Sequence, residues 1–235
     1  MGWRAAAGDL LLGTACAACL RPWWGLCPGC RTGLRLRTAR PAIPEPAPPG
    51  FPPTWTTGAY DEPVRRLIIA HKERQAYGLA PVLGELLAVA CWQLVRDTGP
   101  TWPLVLVPVP SGTAAVRRRG YDATAALARR AARLLRPAGP VRVRRLLRQT
   151  RRVHDQAGLD AVARRLNLAD SLRVRGPVPG RGSVIIVDDL VTTGASLAEA
   201  HRALIMSGVR VAGAATVAAT RRMTTNGLMI TGGKA

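Results

Sequence analysis

From residue 54 onward, short apolar runs alternate with segments whose apolar residues recur every three or four positions. "TWTTGAY" reads as a short strand. "EPVRRLIIAHKE" and "APVLGELLAVACWQLVRD" carry helical spacing, with Pro63 and Pro81 near their first turns, where a missing N–H costs nothing. "PLVLVPVP" is a continuous apolar strand that stops in prolines, "YDATAALARRAARLLR" an Ala-rich helix, and "VRVRRLL" a second strand. "DQAGLDAVARRLNL" is another helix, "SVIIVDD" a third strand, "ASLAEAHRALIMSG" its helix, and "VRVAGAATVAAT" a fourth strand. Gly208 stands where a helix C-terminal glycine belongs. Strands that alternate with helices and are apolar on both faces imply an α/β fold, a parallel sheet flanked by helices on both sides.

Residues 38–53, "TARPAIPEPAPPGFPP", cannot continue a helix or a central strand and read as a Pro-rich linker. It divides residues 1–37 from a main domain over 54–220. The tail, 221–235, lacks periodicity and reads as loose. With 235 residues the main domain can bury a real core, made mainly of Val, Leu, Ile and Ala because aromatics are few. Cys91, on an apolar helical face, belongs to that core. No apolar run approaches the roughly 20 residues that cross a bilayer, so no membrane insertion is expected. "LLLGTACAACL" is short and follows Asp9, a poor secretion signal, and the chain reads as cytoplasmic.

Charge changes the picture. The formal net charge is +20, and among the 34 cationic residues only Lys72 and Lys234 are lysines. Such a field favours polyanions: nucleic acid, phosphorylated small molecules or an anionic surface. Solvated helix faces rich in Arg account for many of these charges equally well.

Four of the five cysteines, Cys16, Cys19, Cys27 and Cys30, form C-A-A-C and C-P-G-C pairs. Two tight turns of this spacing can present four thiolates to one structural Zn²⁺, a closed shell without catalysis. Gly29 suits the sharp backbone of such a knuckle. Two disulfides or a redox pair are the other readings, and disulfides fit an intracellular chain poorly.

The most informative stretch is "SVIIVDDLVTTGASL". Backbone amides at a helix N-terminus point outward and favour anions. Gly194 permits close approach, and the hydroxyls of Thr192, Thr193 and Ser196 add donors, with Ala195 between them. Asp188 and Asp189 cannot hold phosphate. They can accept hydrogen bonds from ribose hydroxyls or approach a Mg²⁺ held by phosphates. One Asp would suffice for a helix cap. "VIIVDDLVTTGAS" resembles the signature of type I phosphoribosyltransferases, which bind phosphoribosyl pyrophosphate (PRPP). The resemblance implies that Asp188 and Asp189 hold the ribose hydroxyls and that Thr192, Thr193, Gly194, Ala195 and Ser196 hold the 5′-phosphate.

More narrowly the chain resembles the ComF-like proteins, a group named for a role in natural competence. The four cysteines, "AHKERQAYGLA", "VPVPSGTAAVRRRGYD" and the segment with Arg148, Gln156, Leu159, Arg164 or Arg165, and Asn167 follow that group's order. Asp122 stands where Asn is usual, and His154-Asp155 and "LADSL" also depart from the pattern. The resemblance implies a type I phosphoribosyltransferase fold with a pyrophosphate loop at Pro110, Ser111 and Gly112, near Arg117–Arg119. It further implies a closing loop over 148–156, in which Arg151 and Arg152 neutralise leaving pyrophosphate, while His154 reads as an exposed loop residue. Arg suits pyrophosphate because its forked donors match anionic oxygens. Two functions are therefore expected. One is a phosphoribosyltransferase using PRPP and Mg²⁺ with an unnamed acceptor. The other is a non-catalytic protein that binds single-stranded DNA or DNA-processing proteins. The second draws on the segment from Arg117 to Arg152, which holds thirteen Arg and one acid but lacks interleaved aromatics.

Overall fold

The computed structural model describes residues 15–112, 116–117, 119–150, 168, 170–220 and 223–224. In chain order the elements are α1 (Pro28–Arg35), β1 (Arg40–Pro41), β2 (Ile43–Pro44), β3 (Thr54–Thr56), α2 (Val64–Glu73), α3 (Ala80–Thr98), β4 (Leu104–Pro108), α4 (Ala123–Leu135) and β5 (Val141–Val143). They continue with β6 (Leu147–Gln149), β7 (Leu172–Val174), β8 (Ser183–Val191), α5 (Ala195–Ile205), β9 (Val211–Ala219) and β10 (Met223–Thr224).

One six-stranded sheet in the order β1-β3-β9-β8-β4-β5 forms the frame. Its pairs are parallel except β1 with β3 at the edge. The central strands are largely apolar: every residue of β4 is buried, as is Ser183–Val187 of β8. Alternate side chains of a strand enter opposite faces. Ile185 and Val187 pack with Leu83, Leu87 and Leu94 of α3 and Leu127 of α4. Val184 and Ile186 pack with Leu197, Ala200 and Leu204 of α5. Helices therefore cover both faces, as the unbroken apolar strands require. Cys91 lies fully buried in the first of these clusters, where burial pushes its thiol up to about 12.

The structure departs from the sequence pattern in four places. β8 does not stop at the acid pair: Asp188 lies opposite Thr216, and the ladder runs on through Leu190 and Val191. "VRVRRLL" is two strands. Val141–Val143 joins the sheet edge, whereas Leu147–Gln149 pairs antiparallel with β7. The break falls at Arg144 and Arg145, which turn away to the Pro177 carbonyl and to Asp122. Within the Pro-rich stretch, β1 pairs with β3, β2 pairs with β10 of the C-terminal stretch, and Ala42 is buried in the core. Edge positions tolerate proline because an edge strand needs only one row of donors. Finally, the helical stretch Tyr77–Thr98 has the length and apolar composition of a membrane span, although no single apolar run predicts it. Its buried residues pack against α4 and the sheet.

Candidate functional site

β4 continues through α4 to β5 on one side, while β8 continues through α5 to β9 on the other. The two helices lie on opposite faces, so the carboxyl ends of β4 and β8 form the switch point of the sheet, where open α/β sheets bind ligands. The two ends are tied together: the Val109 amide donates to the Val187 carbonyl at 2.9 Å. The half-buried Ser111 and the exposed Gly112 follow on the β4 side, and Asp188 and Asp189 stand on the β8 side.

Beyond β8, Thr192 to Gly194 turn directly into α5. Gly194 caps the helix at φ +76°, no side chain bonds the first-turn amides, and no acid lies in the first turn. The partial positive charge of this N-terminus is left for an outside anion. Glycine is required here on two grounds. Its φ is left-handed, and a Cβ would stand 2.7 Å from Phe51 and 2.8 Å from Pro44. The Pro-rich segment thus closes over the loop. The side chains of Thr192, Thr193 and Ser196 are half-buried around it.

A residue that sequence reasoning did not assign completes the acid pair. Lys72, near the end of α2, places Nζ 2.8 Å from Asp189 Oδ1 and 2.7 Å from Oδ2. Asp188 Oδ1 accepts from the Asp189 amide at 2.9 Å. Burial would raise the carboxyl of Asp189, but the Lys72 ammonium outweighs it and holds Asp189 below its usual range. Burial, and then the charge of Asp189 beside it, push Asp188 up to about 8. Lys72 is held above its ordinary value because the two carboxylates outweigh its own burial. Near neutral pH the triad therefore carries one ammonium, one carboxylate and one carboxylic acid. Lys72 was legible in one respect: it is one of two lysines in a chain with 34 cationic residues.

The α2 terminus is itself braced. Arg119, with a side chain only 7% exposed, donates from Nη1 to the Lys72 carbonyl at 3.1 Å and approaches Glu73 at 3.4 Å. Tyr77 donates its hydroxyl to the Arg119 carbonyl at 2.9 Å and stacks, tilted, on Tyr121 at 4.2 Å. His71 meets Tyr121 edge-on, and burial lowers its pKa. Of the arginines expected near a pyrophosphate loop, Arg119 is thus committed inward, Arg117 is exposed, and Arg118 lies outside the described residues. Arg151, Arg152, His154, Gln156, Leu159, Arg164, Arg165 and Asn167 also lie outside them. The segment that contains them leaves and re-enters through β6 and β7. The buried Glu199 of α5 fixes that hairpin, accepting from the Leu172 amide at 2.9 Å and from Arg202 Nε at 2.7 Å.

The cysteine cluster is a separate site. The Sγ atoms of Cys16, Cys19, Cys27 and Cys30 all lie within 4.8 Å of one another, and none is in a disulfide. Cys19 and Cys27 Sγ are 3.8 Å apart, against about 3.8 Å expected between sulfurs of a tetrahedral zinc thiolate. The four can hold a metal ion. Burial raises Cys16, but backbone donors including the Cys19 and Cys27 amides outweigh it and bring the thiol down to about 6. Burial and the neighbouring thiols push Cys30 up to about 12. The left-handed glycine of the knuckle is Gly25, at φ +70°, rather than Gly29, which lies within α1.

The acid pair sets a pH dependence. Folded Asp188 keeps its proton to about pH 8, whereas an unfolded aspartate releases it near 3.8. Between those values the folded state holds the extra proton, so the stability Asp188 contributes falls as pH rises. Asp188→Asn removes this slope. Its unfolding temperature is expected to exceed the parent's at pH 8, by about 2–4 °C per kcal/mol released, and to converge with it toward pH 4. Thermal unfolding across that range checks this; a gap independent of pH contradicts it.

Comparison with models of known protein families finds no match. Individual proteins do match. The DNA utilization protein YhgH of Escherichia coli K12 is 31% identical over 199 residues, covering 79% of this chain and 86% of that protein. Its counterpart in Salmonella typhimurium LT2 is 31% identical over 199 residues, covering 83% and 84%. Competence protein F of Haemophilus influenzae KW20 Rd is 31% identical over 164 residues, covering 67% and 70%. With that identity sustained over most of both chains, the protein belongs to the ComF-like family.

Proposed function

We propose that this protein serves the uptake or use of DNA, and that the switch point of its sheet binds PRPP with Mg²⁺. The names of its relatives support the first part. One observation carries the second: an acid pair, Asp188 half-buried and Asp189 buried, stands shortly before a helix N-terminus opened by Gly194 with no side-chain cap, at the switch point of a parallel sheet. An anion site beside paired carboxylates suits a ligand with a sugar between its phosphates.

In this reading Asp188 and Asp189 accept from the ribose hydroxyls. Thr192, Thr193, Gly194, Ala195 and Ser196 hold the 5′-phosphate, and Ser111 and Gly112 line the diphosphate side. Mg²⁺ suits this all-oxygen site, held by a carboxylate and the phosphates, and supplies charge neutralisation of the diphosphate. Arg151 and Arg152 are proposed to cover the diphosphate. The enzymatic form of the proposal is transfer of phosphoribose: a bond from C1 to an acceptor nucleophile forms as the C1–oxygen bond breaks, and pyrophosphate leaves with the electron pair.

A second reading, binding of single-stranded DNA without catalysis, gains from an observation that the sequence did not offer. Trp23 and Trp24 of the cysteine module are 48% and 73% exposed, with the exposed Arg21 and Arg31 nearby. Exposed aromatic faces among cations are what base stacking uses. We propose that Zn²⁺ holds this module, since four thiolates favour a soft or borderline ion.

Calorimetry with PRPP and Mg²⁺ tests the pocket. The parent should bind, and Asp188→Asn with Asp189→Asn should lose about 1.5–3 kcal/mol for each lost charged acceptor. Unchanged affinity in a folded double variant overturns the ribose assignment. Metal analysis is expected to find one zinc per chain, absent after Cys16→Ser with Cys19→Ser; zinc retained in that variant contradicts the assignment. Affinity for single-stranded DNA should fall steeply between low and physiological salt as counterions are released. An affinity indifferent to salt removes the role given to the basic surface.

A further inference from the structure

The site contains its own cation. Lys72 Nζ donates to Asp189 Oδ1 at 2.8 Å and stands 2.7 Å from Oδ2, which has no hydrogen-bond partner of its own among the described residues, so a ligand hydroxyl that reaches this carboxylate meets the ammonium there. The Lys72 side chain is 28% exposed while Asp189 is 6% exposed, so the cation occupies the solvent side of the pair. The backbone carbonyl of Lys72 accepts from the Arg119 guanidinium, and the Tyr77 hydroxyl donates to the Arg119 backbone carbonyl. Only the four-carbon arm is free to move. Arg119 follows the β4 loop by seven residues, so the chain stretch that carries Ser111 and Gly112 also supplies the residue that meets the Lys72 backbone.

Resting on the phosphoribosyl reading of the pocket, we propose that Lys72 is a specificity-determining residue, whose ammonium exchanges from Asp189 to the diphosphate arm of the ligand. A ligand with ribose and 5′-phosphate alone takes Asp189 from Lys72 and offers the partly buried ammonium no anionic partner in exchange, which is unfavourable. A ligand that also carries a diphosphate at C1 offers anionic oxygens in exchange. The exchange makes the diphosphate a condition for good ribose binding and separates PRPP from ribose 5-phosphate.

The test compares PRPP and ribose 5-phosphate, each with Mg²⁺, on the full chain and on Lys72→Met. The parent prefers PRPP, and Lys72→Met narrows that preference by at least about tenfold, because it weakens PRPP binding without weakening ribose 5-phosphate. Equal weakening of both ligands, or of neither, overturns the inference and leaves Lys72 a structural counter-ion. A second measurement needs no variant. The chain has two lysines, Lys72 and Lys234, so ¹³Cε-lysine labelling gives two resonances. The Lys72 signal should move with PRPP more than with ribose 5-phosphate, while the Lys234 signal stays. Equal displacement by the two ligands contradicts the exchange. A parent that binds neither ligand removes the pocket reading and this inference with it. A parent that binds PRPP while Lys72→Met keeps its preference overturns the inference alone.

Discussion

Two acidic side chains side by side in a parallel strand covered on both faces are a costly arrangement. A buried charge without a partner is unfavourable by several kcal/mol or more, and successive strand residues point to opposite faces, so one counter-ion cannot serve both equally. The structure resolves this asymmetrically. Asp189 takes the Lys72 ammonium at 2.7–2.8 Å, and Asp188 accepts from an amide while burial and its charged neighbour push its pKa up to about 8. The bracing of α2 by Arg119 and Tyr77 serves this pairing by holding Lys72 where Asp189 can use it.

The same strand that creates the problem makes the site. β8 ends at the switch point, and the tight turn at Gly194 leaves the amides of α5 uncapped beside the acid pair. Phe51 and Pro44 close against Gly194, and His201 of α5 meets the Gly50 carbonyl at 2.8 Å. The Pro-rich segment is therefore part of the wall around the anion site. Glu199 in turn fixes the β6–β7 hairpin to α5.

Much of this was legible in the sequence where signals are local. The strand, acid pair, Thr-Thr-Gly turn and helix read in order because each step depends on neighbouring residues. The four cysteines read correctly as a cluster because their spacing encodes a shared centre. What was not legible is set by contacts distant in sequence. Lys72 meets Asp189 across 117 positions, and periodicity says only that Lys72 lies on a helix. The Pro-rich stretch reads as linker because its prolines exclude a central strand, and periodicity does not count the edge strand they allow. "VRVRRLL" reads as one strand because the pattern sees alternation, whereas Arg144 and Arg145 find tertiary partners that split it. Arg119 reads as one of three arginines near a pyrophosphate loop, and only the fold turns it inward.

The proposal rests on an acid pair held half-neutralised, Asp189 on Lys72 and Asp188 with its pKa pushed up to about 8. Its most direct measurement is the titration of the Asp188 and Asp189 side-chain carboxyl carbons by NMR, without ligand and with PRPP and Mg²⁺. The account predicts that free Asp188 titrates at about pH 8 while Asp189 stays ionised below the usual range, and that the ligand drives the proton from Asp188 at lower pH. Ordinary titration of both carboxyls near pH 3.9, unmoved by the ligand, would contradict it.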